Sequence, residues 1–551
     1  MRAIERRIGL LFACFLLLFA VILLRAVWLQ GVRGSELRAD AVSQQTETVT
    51  VPGFRGRILD RNGEPLAVSE DAATVFATPY QVRDPAEAAR RLAAVLEVPH
   101  EEILDPLSDR DSGFAYLARE IDLITAERVR KLDLDGVGIL PDSRRAYPQG
   151  KLASQVIGTV GTENEGLTGL ESGYEDLLGG TDGEAKVTKD ALGETIERET
   201  LRGQTSGEDL KLTLDAELQA QTEDALAEVG RTYHPAGATI VVTDPRSAEV
   251  LALANWPRID PSDPAGASEE QLANQATGFT YEPGSTFKAF TVAGALEEEV
   301  VKPDTVFDLP PSIQVADRTI EEAHPRGQVR LTVADILAQS SNVGAVKVGL
   351  ALGAEQFDSW VRRFGFAEPT GIAFPGEERG IVPALEDYSG STLGNMAIGQ
   401  GLSVTPIQMA AAYGAIANGG TLLAPRLVIK QGGDAVDPPS PQRVLSERNA
   451  DEVRTMLEGV LAPGGTAETV QVPGYTLAGK TGTAEKAVDG GYSESKFVAS
   501  FVGFAPADNP ELLVTIVVDE PQGSIYGSDV AAPAFGEIAT FALPHLGIPP
   551  G

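Results

Sequence analysis

The sequence predicts an α+β protein: a large C-terminal domain with an antiparallel sheet flanked by helices, a smaller mixed domain before it, and one N-terminal membrane helix. Three observations carry this reading. Residues Ile8 to Leu24, IGLLFACFLLLFAVILL, are an unbroken uncharged run. Ala216 to Val229 places Leu218, Ala225, Leu226 and Val229 on one helical face, and two β-rich segments, Ala238–Asp244 and Glu249–Asn255, then flank the turn residues Pro-Arg-Ser-Ala as in a hairpin. Leu512–Asp519, LLVTIVVD, is a β-branched run suited to a central strand, and helical stretches such as Thr405–Ala417 lie between the strands.

Composition sets the outer limits. The chain has 551 residues, 43% hydrophobic and 23% charged, which is the balance of a folded protein with room for two or three domains. Its net charge of −34 would be repelled by phosphate backbones, so nucleic-acid binding is excluded as a role. A single Cys forbids an internal disulfide, and His100, His234, His324 and His545 have no zinc-ligand spacing, so no metal and no cofactor is expected. Cys14 lies inside the apolar run and reads as a small hydrophobe.

The N-terminal run predicts an anchor rather than a cleaved leader. At about 1.5 Å per residue, Ile8–Leu29 extends about 33 Å, enough for a bilayer core. Bulky Val27, Trp28 and Leu29 stand where a cleavage site needs small residues. Trp28 suits the membrane interface, and Arg25 can snorkel to it or meet a polar residue of a membrane partner. Arg2, Arg6 and Arg7 before the span are nearly balanced by Arg25, Arg33 and Arg38, so the charge rule alone leaves its orientation open.

Domain boundaries are expected at residues 1–30 for tail and anchor, 31–205 for a non-catalytic domain, and 206–551 for the large domain. Gly31–Val51 is polar. In RGRILDRNGEPLAVS (Arg55–Ser69), Asp60, Asn62 and Gly63 supply turn chemistry between two short strands. Ala86–Leu96 and Thr125–Leu132 read as helices, and Gly158, Gly161, Gly166 and Gly169 punctuate the stretch after them. The polar run ERETLRGQTSGED separates this domain, which carries no catalytic-looking cluster, from the next. Pro257–Glu269 and Gln431–Gln442 read as surface loops.

Three polar clusters carry chemistry. In YEPGSTFK, Ser285 falls at or near a helix N-terminus with Lys288 one turn on. The helix dipole and a free N–H there favour a serine nucleophile, and Lys288 can act as its base once burial or a neighbouring cation keeps it neutral. Taken alone, S-x-x-K is also a capping serine, and Ser493 with Lys496 matches the pattern by chance. In QSSNVG, Ser340 and Asn342 suit proton passage and amide binding, although a plain N-cap explains the same letters. In GKTGTAEK, Lys480, Thr481, Gly482 and Thr483 read as an edge strand, where Gly482 admits a substrate backbone and the threonines hold a carboxylate. Gly474–Thr481 also matches the phosphate-loop pattern, but Gly482 follows at once and no helix is expected, so nucleotide binding is rejected.

In that order, S-x-x-K, S-x-N and K-T-G are the motif set of penicillin-binding proteins and serine β-lactamases. With the anchor, RGRILDRNGEPLA, SRRAYPQG and GLTGLESGYEDLLGG, the whole chain resembles the class B penicillin-binding proteins. The resemblance implies a serine penicillin-recognising transpeptidase domain on an elongated α/β pedestal of dimerisation type. It implies that Ser285 attacks the D-Ala-D-Ala carbonyl of a stem peptide with Lys288 as base. Ser340, Asn342 and Lys480 would pass the proton to the leaving amine, Thr481 and Thr483 would hold the carboxylate, and the N–H groups of Ser285 and Thr483 would form the oxyanion hole. An amine acceptor would then complete the cross-link, and β-lactams would acylate Ser285. FVASFVGFAP and YGSDVAAPAF resemble the septal, cell-division branch, which implies a SEDS-type glycosyltransferase and division proteins as partners and an external catalytic domain. NQA at Asn274–Ala276 departs from the expected NRA, and no appended C-terminal repeats are expected. A β-lactamase, a bifunctional class A enzyme and an inactive scaffold fit the anchor, spacer and intact motifs less well; a carboxypeptidase side activity stays open, as does the elongation branch.

Overall fold

The computed structural model describes residues 2–33, 46–189, 195–488 and 491–550. Its contacts divide the chain into two compact units. The first comprises Met1–Phe54, Asp71–Ser143 and Gly180–Ser206; the second comprises Arg55–Glu70, Arg144–Gly179 and Gly207–Gly551. By contacts, the segments holding RGRILDRNG and GLESGYEDLL group with the second unit, although both precede the boundary expected near residue 205. Most of the Gly31–Val51 stretch lies outside the described residues.

In the first unit, a helix over Arg2–Val27 continues as a π-helical turn, Trp28–Val32. The span Ile4–Val32 has mean hydropathy 2.8 and is apolar and long enough to cross a bilayer. The Trp28 ring meets the guanidinium groups of Arg25 at 5.2 Å and Arg33 at 5.6 Å, a cation–aromatic cluster at the end of the span. Thr46–Val51, Gly183–Lys189 and Thr195–Arg202 form a three-stranded antiparallel sheet around Val49, Ala185 and Val187. The polar run expected as a separator therefore begins as a strand. Pro85–Leu96 starts with Asp84 accepting from Glu87 N and Pro at the first turn, and it packs with His100–Ser108 through Ala88, Leu92, Ile103 and Leu107.

The second unit is built on a five-stranded antiparallel sheet. Its order is Glu249–Trp256, Gly237–Asp244, Leu512–Asp519, Gly491–Ala505 and Ala478–Val488. Leu512–Asp519 is central and buried at every position, so both faces are covered, as its near-continuous apolar sequence requires. Ala216–Tyr233 and Ala532–His545 pack against each other and the sheet. Pro406–Ala417, apolar nearly all round, packs on Gly237–Asp244 and Leu512–Asp519 with Thr405 and Gln408 forming its capping box. Ala478–Val488, which carries the K-T-G motif, is the sheet edge, as its sequence predicts.

The early segments join this unit through paired strands and a buried charge network. Ile58–Leu59 runs parallel to Leu210–Lys211, and Asp60 accepts from Asn62 N (2.7 Å) and Glu64 N (2.8 Å) to make the expected turn. Arg55 Nε donates to Glu171 Oε2 at 2.9 Å and Arg145 Nε donates to Glu171 Oε1 at 2.7 Å, with all three side chains at most 3% exposed. Removing the shared carboxylate leaves two buried cations short of a partner. Glu171→Ala is therefore expected to cost about 3–5 kcal/mol, read as a lower denaturation midpoint, with Glu171→Gln milder; an unchanged midpoint would contradict a structural role for the network.

Candidate active site

Ser285 lies in a 3₁₀ turn, Gly284–Phe287, that feeds directly into the helix Lys288–Glu297. The sequence places it at the helix start; the structure puts it one tighter turn earlier. That turn is pinned from several sides. Gly284 has φ +54°, and a Cβ there would lie 2.8 Å from Thr483 O, so both the conformation and the close approach require glycine. Tyr413 donates its hydroxyl to Thr286 O at 2.6 Å, and Thr286 donates to Pro283 O at 2.7 Å. Thr286 and Phe287 are buried, whereas Ser285 stays half-buried.

Lys288, one turn further, is fully buried. Its Nζ lies 2.7 Å from Ser340 O, 3.2 Å from Ser340 Oγ and 2.6 Å from Asn342 Oδ1. Two N–H bonds of a neutral amine serve the carbonyl and the amide oxygen, while the serine hydroxyl can give or take a proton at the third contact. Burial pushes the Lys288 amine down to about 7; Glu322 opposes that shift and Arg326 adds to it. The S-x-N turn resolves the capping ambiguity by dividing the work. Ser341 caps the helix Asn342–Leu352, accepting from Gly344 N at 2.9 Å, which frees its neighbours. Ser340 sits at φ +57°, an uncommon conformation for a residue with a Cβ, and both its oxygens meet Lys288.

Lys480 is also fully buried, in register with Val502 of the neighbouring strand. Its Nζ contacts Thr481 O at 3.1 Å and, at 3.5 Å, Thr481 Oγ1. Burial holds it well below the ordinary lysine range, and the charge of Lys288 pushes the same way. Thr481 Oγ1 is 2.8 Å from Thr466 Oγ1, and Thr483 Oγ1 accepts from Gly527 N at 3.3 Å. Gly482 differs from expectation in what approaches it. A Cβ there would lie 2.3 Å from Ser500 Oγ and 2.9 Å from Thr286 Cγ2, so this glycine admits the serine turn and the next strand. The Ser285 turn and the K-T-G strand thus meet through two glycines.

The phosphate-loop match has no such structure: Lys480 lies within a strand and no helix follows it directly. Ser493 and Lys496 lie on the strand Gly491–Ala505, with Ser493 Oγ accepting from Lys496 N and Lys496 Nζ paired to Glu520. Gln275, at the NQA departure, donates to Trp256 O at 3.0 Å. Sequence reasoning missed Thr466, Glu321, Glu322 and Arg326. None sits in a recognisable spacing; the only available signal was a charged group in a loop just before the S-x-N helix pair.

Comparison with known proteins assigns the family. The model of the penicillin-binding protein transpeptidase domain matches residues 238–540, and that of the penicillin-binding protein dimerisation domain matches 50–212. The chain belongs to the class B penicillin-binding proteins, a transpeptidase domain joined to a dimerisation domain. It is 38% identical to stage V sporulation protein D of Bacillus subtilis over 97% of this chain and 86% of that protein. It is 32% identical to the peptidoglycan D,D-transpeptidase FtsI of Escherichia coli over 99% of this chain and 93% of the relative. Among solved structures, penicillin-binding protein 3 of Mycobacterium tuberculosis complexed with aztreonam shares 30% identity and a TM-score of 0.71, covering 91% of this chain and 98% of that one.

The electrostatics lead to a direct measurement. With lysine labelled at Cε, one resonance should titrate near pH 7 and vanish in Lys288→Met. A Lys288 signal that titrates only in the ordinary lysine range would contradict the burial argument.

Proposed function

We propose that this chain cross-links peptidoglycan stem peptides as a serine D,D-transpeptidase, with Ser285 as the nucleophile, and that it serves septal synthesis during cell division. The observation that carries the mechanism is Lys288: a buried amine one turn from a half-buried serine, held in a range where it is substantially neutral at physiological pH. Lys288 takes the Ser285 proton as Oγ attacks the carbonyl of the penultimate D-Ala. The N–H groups of Ser285 and Thr483 receive the developing oxyanion. The C–N bond breaks, the proton reaches the leaving D-Ala amine through Ser340 and Lys480, and an ester on Ser285 remains. Asn342 orients Lys288 and the substrate amide. Thr481 and Thr483 bind the donor carboxylate, while Gly482 lets their strand close on the serine turn. An acceptor amine then attacks the ester, a new amide forms, and Ser285 regains its proton. A β-lactam enters the first half of this cycle and stops at the ester.

The relatives' names support the activity: FtsI is named a peptidoglycan D,D-transpeptidase and the PenA proteins probable ones, and solved relatives are complexed with aztreonam and ampicillin. The apolar N-terminal helix supports a single-pass anchor in the cell membrane; on this reading the catalytic domain lies on the outer side, where stem peptides are found. The partners of this reading are a SEDS-type membrane glycosyltransferase and division proteins. A non-catalytic penicillin-binding scaffold would have no use for a low-lying buried amine beside its serine.

Ser285→Ala should abolish covalent labelling by a fluorescent penicillin while leaving the unfolding temperature within a few degrees of wild type. Adduct found at another serine by peptide mapping would overturn the assignment. Depletion in cells should give filaments; rounded cells would move the protein to the elongation branch.

A further inference from the structure

The loop between the strands Arg318–Glu321 and Val329–Thr332, just before the S-x-N helix pair, carries a charge cluster that the mechanism above does not use. Glu322, with a side chain only 6% exposed, accepts at Oε1 from Arg326 Nη2 (2.6 Å) and Ser341 Oγ (2.7 Å), and at Oε2 from Asn342 N (2.8 Å). Arg326 Nη2 also donates to Ser341 Oγ at 2.7 Å. Glu321 O accepts from Asn342 Nδ2 at 2.8 Å.

These contacts have consequences for Lys288. Because Asn342 Nδ2 is taken by Glu321 O, the amide can turn only its Oδ1 toward Lys288 Nζ, as observed. Ser340 holds a left-handed conformation, which is strained in a residue with a Cβ. Something must over-determine that conformation. The bonds from Glu322 and Arg326 fix the next two residues, Ser341 and Asn342, by side chain and backbone together.

We propose that Glu322 and Arg326 are positioning residues for acylation: their ion pair clamps the strained Ser340–Asn342 turn and so sets the three oxygens that hold the Lys288 amine. This rests on the reading of Lys288 as the base for Ser285. The charges of the pair also reach Lys288 in opposite senses, Glu322 favouring the ammonium and Arg326 the neutral amine, beside the larger effect of burial. Lys480, from the edge strand, is the third titratable group coupled to that amine. His324 of the same loop instead has its ring against Tyr526 at 5.5 Å, and Glu282 is engaged by Gly401 N and Tyr492 OH.

The test is the pH dependence of acylation of the full-length, detergent-solubilised protein by a fluorescent penicillin. In wild type the rate should rise through pH 7 to a plateau. Glu322→Gln should move the midpoint down and Arg326→Gln should move it up, each by roughly one pH unit or less. Both should lower the plateau about tenfold or more, and Glu322→Asp and Arg326→Lys, which keep the charges, should hold the wild-type midpoint. A merely structural loop would lower both plateaus without separating the midpoints; midpoints that coincide, or move together, would overturn the proposal. Should Glu322→Gln fail to fold, Arg326→Gln decides alone, since that side chain is partly exposed and its predicted shift is upward. A wild type that acylates at no serine would sink the Ser285 assignment instead, so the two failures are told apart.

Discussion

The constraint on which the rest of the catalytic unit depends is the burial of two lysine amines, Lys288 and Lys480, with no carboxylate among the described residues bonded to either Nζ. Holding the Lys288 amine near 7 instead of its usual 10.5 corresponds to roughly 5 kcal/mol against the ammonium. A site that only needed a cation would place Asp or Glu beside it. Here the direct partners are a carbonyl, a hydroxyl and an amide oxygen, which orient an amine without fixing its charge. The carboxylate of Glu322 is kept one residue back, bonded to Ser341 and Asn342 rather than to Nζ.

Backbone conformation serves the same end. Gly284 and Ser340 both have positive φ, one in the nucleophile turn and one in the turn that holds the base. Gly482 and Gly527 lack the Cβ atoms that would strike Ser500 and keep the edge strand and its neighbours apart. Positive φ and missing side chains therefore occur where these three chain segments converge, while the central strand of the sheet behind them is buried at every position. The sheet supplies the stability against which these unfavourable local choices can be held.

Much of this was legible in the sequence, and the reasons differ by element. Glu249–Trp256, Leu512–Asp519 and Pro406–Ala417 announce themselves because their apolar spacing matches their burial. Ser285, Lys288, Ser340, Asn342 and Lys480 were legible because short-range spacing and order survive in the chain. The Glu322–Arg326–Ser341 cluster was not: its meaning lies in hydrogen bonds across a loop of ordinary composition, and charged loop residues are usually solvated. Thr466 was hidden likewise, since a hydroxyl 15 residues from Thr481 has no pattern. The placing of Arg55–Glu70 and Arg144–Gly179 with the large domain was also hidden, because a buried Arg–Glu–Arg network depends on long-range contacts that composition does not record.

On the proposed mechanism, the two amines also explain why one site can both remove and return a proton. Lys288 and Lys480 each disfavour a charge on the other, so a proton gained by one is resisted by its neighbour. On the proposed mechanism, a donor carboxylate arriving at Thr481 and Thr483 adds a negative charge beside Lys480 and makes that amine the better place for a proton. An ammonium at Lys480 then keeps Lys288 neutral at the moment Ser285 needs a base. Once Lys288 has taken the serine proton, the pair carries one charge too many for a buried seam, and the surplus proton is driven toward the leaving amine. Substrate binding, rather than bulk pH alone, thereby assigns base and acid roles to two amines that burial has moved in the same direction.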